Sequence, residues 1–493
     1  MEPIVSVSSG KVRGVVRDGV SSFLGIPYAA APVGPARWDL PRPAPRWQGV
    51  RAATEYGPTC VQAPYPPPIH ALLGSDGIPG EDYLNLNVWT PDPAGSGLPV
   101  LVWIHGGAFA RGSNAREMYD GSAFARDGVV LVSINYRLGA SGFAAIPGAP
   151  FNRGLHDQIF ALHWVRENIA AFGGDPDNVT LFGESAGGMS VVDLLAAPPA
   201  RGLFRRAIAQ SANGSTVCEA ADAGRLGHAL ADRLGIAASA TAFGQVSAEQ
   251  LLEAQNTLSL DLLINPDPAR WGASVVRAGL GILNFFPVVD GDLLPGRPVD
   301  ILAAQPDRVP VLAGWTRDEF RFFTFPTGIA AGITDDTLPA ILLRYGFDPA
   351  VADVYRANRP HATAADLFAA VITDAVFRDD TTSLAGSPAP THLYEFAWPS
   401  TLPDLGACHV MDIPFVFDRL AVAHTLTGPN PPQPLADETH AAWVRFATHG
   451  DPGWSPATPE SLVVHTFDFP ESTDVTNPRA DELAALRKAS TAR

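Results

Sequence analysis

Hydrophobic residues in this chain gather into short continuous runs instead of alternating with polar ones. Residues 100–104 read Val-Leu-Val-Trp-Ile, residues 129–134 read Val-Val-Leu-Val-Ser-Ile, and residues 179–182 read Val-Thr-Leu-Phe. Runs of this kind fit strands buried on both faces. Stretches 207–209, 309–313 and 393–396 supply candidates for further strands. Between the second and third runs, Ile159, Leu162, Val165, Ile169 and Phe172 recur at helical spacing, predicting a helix over 157–172. Gly173-Gly174 ends it, and Asp175-Pro176 turns the chain toward the next strand. Strands alternating with helices predict a mostly parallel sheet covered by helices.

The flanking segments read differently. The first 100 residues are rich in Pro and Gly, with a Pro64-Tyr65-Pro66-Pro67-Pro68 stretch that reads as loop or polyproline-like. They predict a small antiparallel sheet and loops packed on the main body. Residues 215–300 are mainly helical by pattern, at 220–234 and 248–263, and so is the segment 325–385. Neither an internal repeat nor a clean linker divides the chain. One domain over residues 1–493 is expected, with 215–300 and 325–385 as insertions.

With 46% hydrophobic and 17% charged residues, the composition is that of a globular protein. Acidic residues outnumber basic ones 51 to 34, a formal charge of −17, which disfavours nucleic acid and anionic lipid as partners. The longest apolar stretch, residues 275–289, is interrupted by Arg277, Asn284 and Pro287, so no membrane span is expected. Met1-Glu2-Pro3-Ile4-Val5-Ser6 has neither the basic nor the apolar region of an export signal. The three cysteines, Cys60, Cys218 and Cys408, have no C-x-x-C spacing, and a reducing cytoplasm is the expected location.

One local pattern carries chemistry. Gly183-Glu184-Ser185-Ala186-Gly187-Gly188 follows a predicted strand and opens a small apolar run. Strand, Gly-x-Ser-x-Gly turn and helix together form the nucleophile elbow of an α/β-hydrolase, with Ser185 raised at the sheet edge. A serine hydroxyl needs a histidine base oriented by a carboxylate, and N–H donors where the oxyanion forms. His105-Gly106-Gly107, directly after the 100–104 run, matches an oxyanion loop. Gly106, Gly107 and Ala186 would be its donors. The acid and the histidine should follow in that order. Glu319 stands just past a predicted strand, with Asp318 competing for the role, and His409 lies in the loop after the 393–396 strand. Spacing alone leaves both partners open.

The chain from 103 to 211 closely resembles the type B carboxylesterases, the group that contains bacterial para-nitrobenzyl esterases and the cholinesterases. The matching segments include Glu81-Asp82-Tyr83-Leu84-Asn85-Leu86-Asn87-Val88-Trp89 and the His-Gly-Gly loop. They also include Ile134-Asn135-Tyr136-Arg137-Leu138-Gly139 and Asn152-Arg153-Gly154-Leu155-His156-Asp157-Gln158. Phe172-Gly173-Gly174-Asp175-Pro176-Asp177-Asn178 and the elbow continue the series. Pro287-Val288-Val289-Asp290-Gly291, Glu319, His409 and Trp443 carry it toward the C-terminus.

The resemblance implies an α/β-hydrolase fold with helical insertions capping the site, and a Ser185–Glu319–His409 triad. It further implies two-step acyl transfer on small to medium, fairly apolar esters. Water and the ester are the only partners, with no metal, cofactor or obligate protein. Amides, carbamates, lactones or natural-product esters would be served by the same chemistry, and a catalytically silent adhesion or scaffold protein is the alternative from another class.

Several positions depart from the family pattern. Tyr83 replaces a cysteine that many eukaryotic members pair with one near Cys60, so that bridge is lost, as in a bacterial, cytoplasmic enzyme. Phe320 replaces the Gly that usually follows the acid and opens a run with Phe322, Phe323 and Phe325, which reads first as core. Asp412 replaces a Glu. Glu184 is common before the nucleophile, and Ser211 matches a second serine near the site that is not assigned to catalysis.

Overall fold

The computed structural model describes residues 2–74, 77–279, 283–305, 308–386 and 389–490. Met1 and residues 280–282 of the apolar stretch 275–289 lie outside them. The three leading runs become the strands Leu98–Ile104, Val130–Ile134 and Gly174–Glu184. Residues 100–104 and 130–134 are buried throughout, which is why their hydrophobicity does not alternate. Arg206–Gln210, Val311–Thr316 and Thr391–Phe396 follow. The strand expected at 309 starts two residues late because Pro310 has no N–H to donate; its carbonyl accepts instead, from Ala207 N–H at 3.1 Å.

Hydrogen bonding orders eleven described strands as Thr473–Thr476, Val463–Phe467, Thr391–Phe396, Val311–Thr316, Arg206–Gln210, Gly174–Glu184, Leu98–Ile104, Val130–Ile134, Asn85–Thr90, Val20–Pro27 and Val15–Arg17. Every neighbouring pair from Val463–Phe467 to Val130–Ile134 is parallel. The pairs at both edges are antiparallel. From Leu98–Ile104 the chain crosses to Val130–Ile134 on one side, then to Gly174–Glu184 on the other. Such a reversal opens a crevice at the carboxyl ends of the strands, and the candidate residues lie there.

The N-terminal region divides its strands between two sheets. Ile4–Val7, Gly10–Arg13 and Val50–Ala52 form a small separate sheet, in which one pair is antiparallel and the other parallel. Val15–Arg17, Val20–Pro27 and Asn85–Thr90 instead extend the main sheet. Asn85–Thr90 mixes polar and apolar residues yet is buried throughout, because its polar side chains find partners inside. Asn87 donates to Ser133 Oγ at 3.0 Å and accepts from Gly25 N–H at 2.9 Å. The proline stretch at 64–68 differs from expectation, since a helix, Pro67–Leu73, begins within it. Prolines are tolerated in a first helical turn, where the missing N–H has no intrahelical partner anyway.

The expected helix over 157–172 starts earlier, as Arg153–Asn168, and closes in a tighter turn, Ile169–Phe172. A fully buried ion pair ties it to the sheet. Asp157 accepts from Arg137 Nε at 2.8 Å and from Nη2 at 2.7 Å, while Nη1 donates to the Arg37 carbonyl at 2.9 Å. Ala220–Leu234 and Ala248–Ile264 match the helices expected in 215–300. Within 325–385, Ala364–Thr373 runs into a π-helical turn, Asp374–Arg378. Among the described residues no helix is long and apolar enough to cross a membrane.

Candidate active site

The strand Gly174–Glu184 ends at Ser185, and the helix Ala186–Ala196 begins immediately after it. Ser185 has φ 56° and ψ −125°, a conformation costly for a residue with a side chain and typical of functional turns. Two bonds hold it there: Ser185 N–H donates to the Gln210 carbonyl at 3.0 Å, and Met189 N–H donates to the Ser185 carbonyl at 2.7 Å. The glycines of the motif are steric necessities. A Cβ on Gly187 would fall 2.0 Å from the Ile104 carbonyl oxygen, so the helix start packs against the end of the neighbouring strand.

The loop after Leu98–Ile104 is held by its own ring and backbone contacts. Tyr136 Oη donates to the His105 carbonyl at 3.0 Å, and the two rings stack with centroids 4.7 Å apart. Gly107 takes φ 115° and accepts at its carbonyl from Ala110 and Arg111 N–H at 3.1 and 2.9 Å, forming a tight turn. Among the described residues, the N–H groups of Gly106, Gly107 and Ala186 have no acceptor, although all three residues line one cavity. Backbone donors in such positions are nearly always paired, so three converging on a cavity are suited to an anion.

His409 and Ser185 line the same cavity. His409 Nδ1 lies 2.5 Å from Glu319 Oε2, and Glu319 Oε1 accepts from Thr316 N–H at 2.8 Å. The His409 N–H donates back to the Glu319 carbonyl at 3.3 Å, so the carboxylate and the loop hold each other. Asp318 points elsewhere: its Oδ2 accepts from Ala407 N–H at 2.9 Å and anchors the start of the His409 loop. Of the two acids left open by spacing, the structure places Glu319 against the imidazole.

A second carboxylate reaches His409. Glu184 Oε1 lies 3.1 Å from Nε2, an ion-pair distance, and among the described residues that oxygen has no hydrogen-bond partner. Burial opposes a charged imidazole, but Glu184 and then Glu319 outweigh it and raise the His409 pKa. The Glu184 carboxyl is itself raised, chiefly by burial, against the pull of His409.

The cavity has a volume of about 120 Å³. Apolar side chains dominate its wall. Phe322, Phe323 and Phe377 surround the imidazole with ring centroids 6.0, 5.2 and 5.1 Å away. The aromatic run beginning at Phe320 is therefore more than core, because Phe320, Phe322 and Phe323 all line the cavity. Phe325 does not; the Arg321 guanidinium covers its ring at 4.0 Å.

A model of the carboxylesterase family matches residues 1–478. The chain belongs to the carboxylesterase family. It is 37% identical over 471 residues to the para-nitrobenzyl esterase of Bacillus subtilis (strain 168), covering 91% of this chain and 90% of that one. It is 36% identical over 474 residues to the phenmedipham hydrolase of Pseudarthrobacter oxydans, with the same coverage of 91% and 90%. The crystal structure of a Geobacillus stearothermophilus carboxylesterase is similar at a TM-score of 0.84 and 36% identity, over 98% of this chain and 99% of that one. This carboxylesterase is a carboxylic ester hydrolase with the α/β-hydrolase fold.

The departures of this carboxylesterase from its family's pattern have local physical consequences. Cys60, Cys218 and Cys408 are all buried and unpaired, and burial pushes the Cys60 thiol up to about 11 against a hydrogen bond with Tyr83. Asp412 does not line the cavity but lies beneath the His409 loop, where it accepts from Gln210 Nε2 at 2.9 Å and Tyr394 Oη at 2.8 Å. Burial pushes its carboxyl up to about 6 against those two donors. Trp443 completes this network, donating to Gln210 Oε1 at 3.1 Å. Ser211, at φ 47°, is buried behind the wall, and its Oγ has no partner among the described residues. Sequence reasoning missed Phe377, Arg111 and Arg116 as cavity residues. Arg111 and Arg116 follow the His-Gly-Gly loop closely, which was a usable signal; Phe377 had none.

Proposed function

We propose that this carboxylesterase works by two-step acyl transfer, with Ser185 as nucleophile, His409 as base and Glu319 as the acid that orients it. Glu319 accepting at Nδ1 favours the tautomer that leaves Nε2 free to take the Ser185 proton. Ser185 Oγ then bonds to the ester carbonyl carbon, and the oxyanion is received by Gly106, Gly107 and Ala186 N–H. His409 passes the proton to the leaving alcohol as the carbonyl–alkoxy bond breaks. Water repeats the sequence on the acyl-enzyme, releasing the acid and restoring Ser185. The scheme calls on no metal or cofactor.

The observation that carries this reading is that Gly106, Gly107 and Ala186, whose N–H groups have no acceptor among the described residues, line one cavity with the elbow serine and the Glu319-held imidazole. An aromatic and aliphatic wall suits small to medium, fairly apolar esters. Thr216 and Ala278 from the 215–300 segment, and Val376 and Phe377 from 325–385, reach the cavity. That supports one catalytic unit, capped by those two insertions. Three buried thiols without a bridge support a cytoplasmic location. A fluorophosphonate probe should add one label, mapped by peptide mass to Ser185 and lost in Ser185→Ala. Labelling at another residue would overturn the assignment.

A further inference from the structure

The chain's net charge of −17 should repel anionic substrates, yet two arginines line the same cavity as Ser185. Arg111 is set close to the oxyanion loop, because its own N–H closes the turn onto the Gly107 carbonyl at 2.9 Å. The following residue is clamped on both sides. Gly112 N–H donates to Gln62 Oε1 at 2.7 Å, and Gln62 Nε2 donates to the Gly112 carbonyl at 2.9 Å. The guanidinium therefore hangs from a rigid backbone.

Its own contacts leave its charge uncompensated. Arg111 Nε donates to the Pro64 carbonyl at 3.3 Å, and the guanidinium stands 5.8 Å from the Tyr65 ring centre. Among the described residues no carboxylate pairs with Arg111. Arg116 approaches the same Tyr65 ring at 5.7 Å and the Tyr119 ring at 5.8 Å. Both guanidiniums approach one aromatic ring at a cavity whose wall is largely apolar apart from Ser185, His409 and Glu184, and Glu184 interacts with Arg116. Such a partly desolvated guanidinium, offering a planar fork of donors, fits a carboxylate far better than a neutral group. A more highly charged, more strongly hydrated anion would lose more water on entering the apolar part.

We propose that Arg111 selects esters bearing a free carboxylate remote from the scissile bond, such as half-esters of dicarboxylic acids or esters of hydroxybenzoates. This rests on Ser185 chemistry in the same cavity. The carboxylate binds at Arg111 while the apolar body of the substrate lies against the phenylalanines.

The test uses the full-length enzyme and two matched substrate pairs. Monoethyl adipate against diethyl adipate places the charge on the acyl side, and 4-acetoxybenzoate against its methyl ester places it on the alcohol side. In at least one pair the charged ester should have the higher kcat/KM. Arg111→Gln should lower the charged-to-capped ratio of kcat/KM by about tenfold or more, the scale of a charge-assisted hydrogen bond. In the unaltered enzyme the same ratio should fall as salt is raised, which keeps the test open should the variant not fold. A ratio insensitive to both salt and Arg111→Gln, or a capped ester preferred in both pairs, overturns the proposal. Loss of turnover on capped esters together with loss of fluorophosphonate labelling would instead count against the Ser185 reading.

Discussion

Glu184 Oε1 lies 3.1 Å from His409 Nε2, while Glu319 Oε2 lies 2.5 Å from Nδ1, so the imidazole is held between two buried carboxylates. Only one of the two can be an orienting partner. Glu319 is fixed by its bond to Thr316 N–H, whereas among the described residues Glu184 Oε1 has no hydrogen-bond partner. Glu184 therefore acts on the charge of the ring more than on its orientation.

That division sets a pH dependence. An anion beside the ring favours imidazolium, so replacing Glu184 by Gln removes one of the three carboxylates, with Glu319 and Asp412, that raise the His409 pKa against burial. In the proposed mechanism His409 must be neutral to accept the Ser185 proton. The acid limb of the kcat/KM profile is therefore expected to move to lower pH in Glu184→Gln. A limb that stayed in place or moved upward would show that Glu184 does not govern the titration.

Glu319 and Asp318 should separate cleanly by kind of defect. Glu319→Gln preserves shape but favours the wrong imidazole tautomer, and kcat should drop by roughly 10⁴-fold, the scale known for the corresponding change in serine proteases. Asp318→Ala leaves the Ala407 N–H without its acceptor and should lower stability by about 1–3 kcal/mol. Steady-state kinetics and urea unfolding of both variants check this. The reverse pattern would exchange their roles.

The three phenylalanine rings around the imidazole should control substrate size. Phe323 lies 5.2 Å from the His409 ring, lines the cavity and is only partly buried. Phe323→Ala is expected to shift the kcat/KM ratio of long-chain over short-chain p-nitrophenyl esters upward. Its stability cost should stay below the ~3–5 kcal/mol of truncating a fully buried phenylalanine. An unchanged chain-length profile would place the ring outside the substrate's path.

Acid stability should depend on Glu395, away from the cavity. Burial alone would raise its pKa, but Arg479 and Arg317 overcome that and hold it at about 2, below the ordinary 4.5. The folded value lies below the unfolded one, so this carboxylate stabilises the protein above pH 4.5 and loses its contribution as pH falls toward 2. Urea unfolding across that window should show a weaker pH dependence for Glu395→Gln than for the unaltered protein. Equal slopes would remove Glu395 from the account.

The contiguous features were legible in the chain itself. Continuous apolar runs announced the buried parallel strands, and Gly183 to Gly188 announced the turn at Ser185. The His-Gly-Gly loop pointed to the donors in the same way. In each case the physical cause is local: strand burial on two faces, or a Cβ that would strike a neighbouring carbonyl. The strands Val463–Phe467 and Thr473–Thr476 were not legible, because they lie at a sheet edge, where partly exposed positions leave no continuous run.

Sequence by itself determined the class of fold and pointed to the elbow serine and the loop proposed to supply backbone donors, since each depends on residues adjacent in the chain. Tertiary structure decided which of two neighbouring acids faces His409, because Glu319 and His409 stand 90 positions apart and only folding sets the direction of each carboxylate. It also decided that Phe377 and two arginines share a cavity with Ser185, a meeting of distant segments that no local pattern encodes.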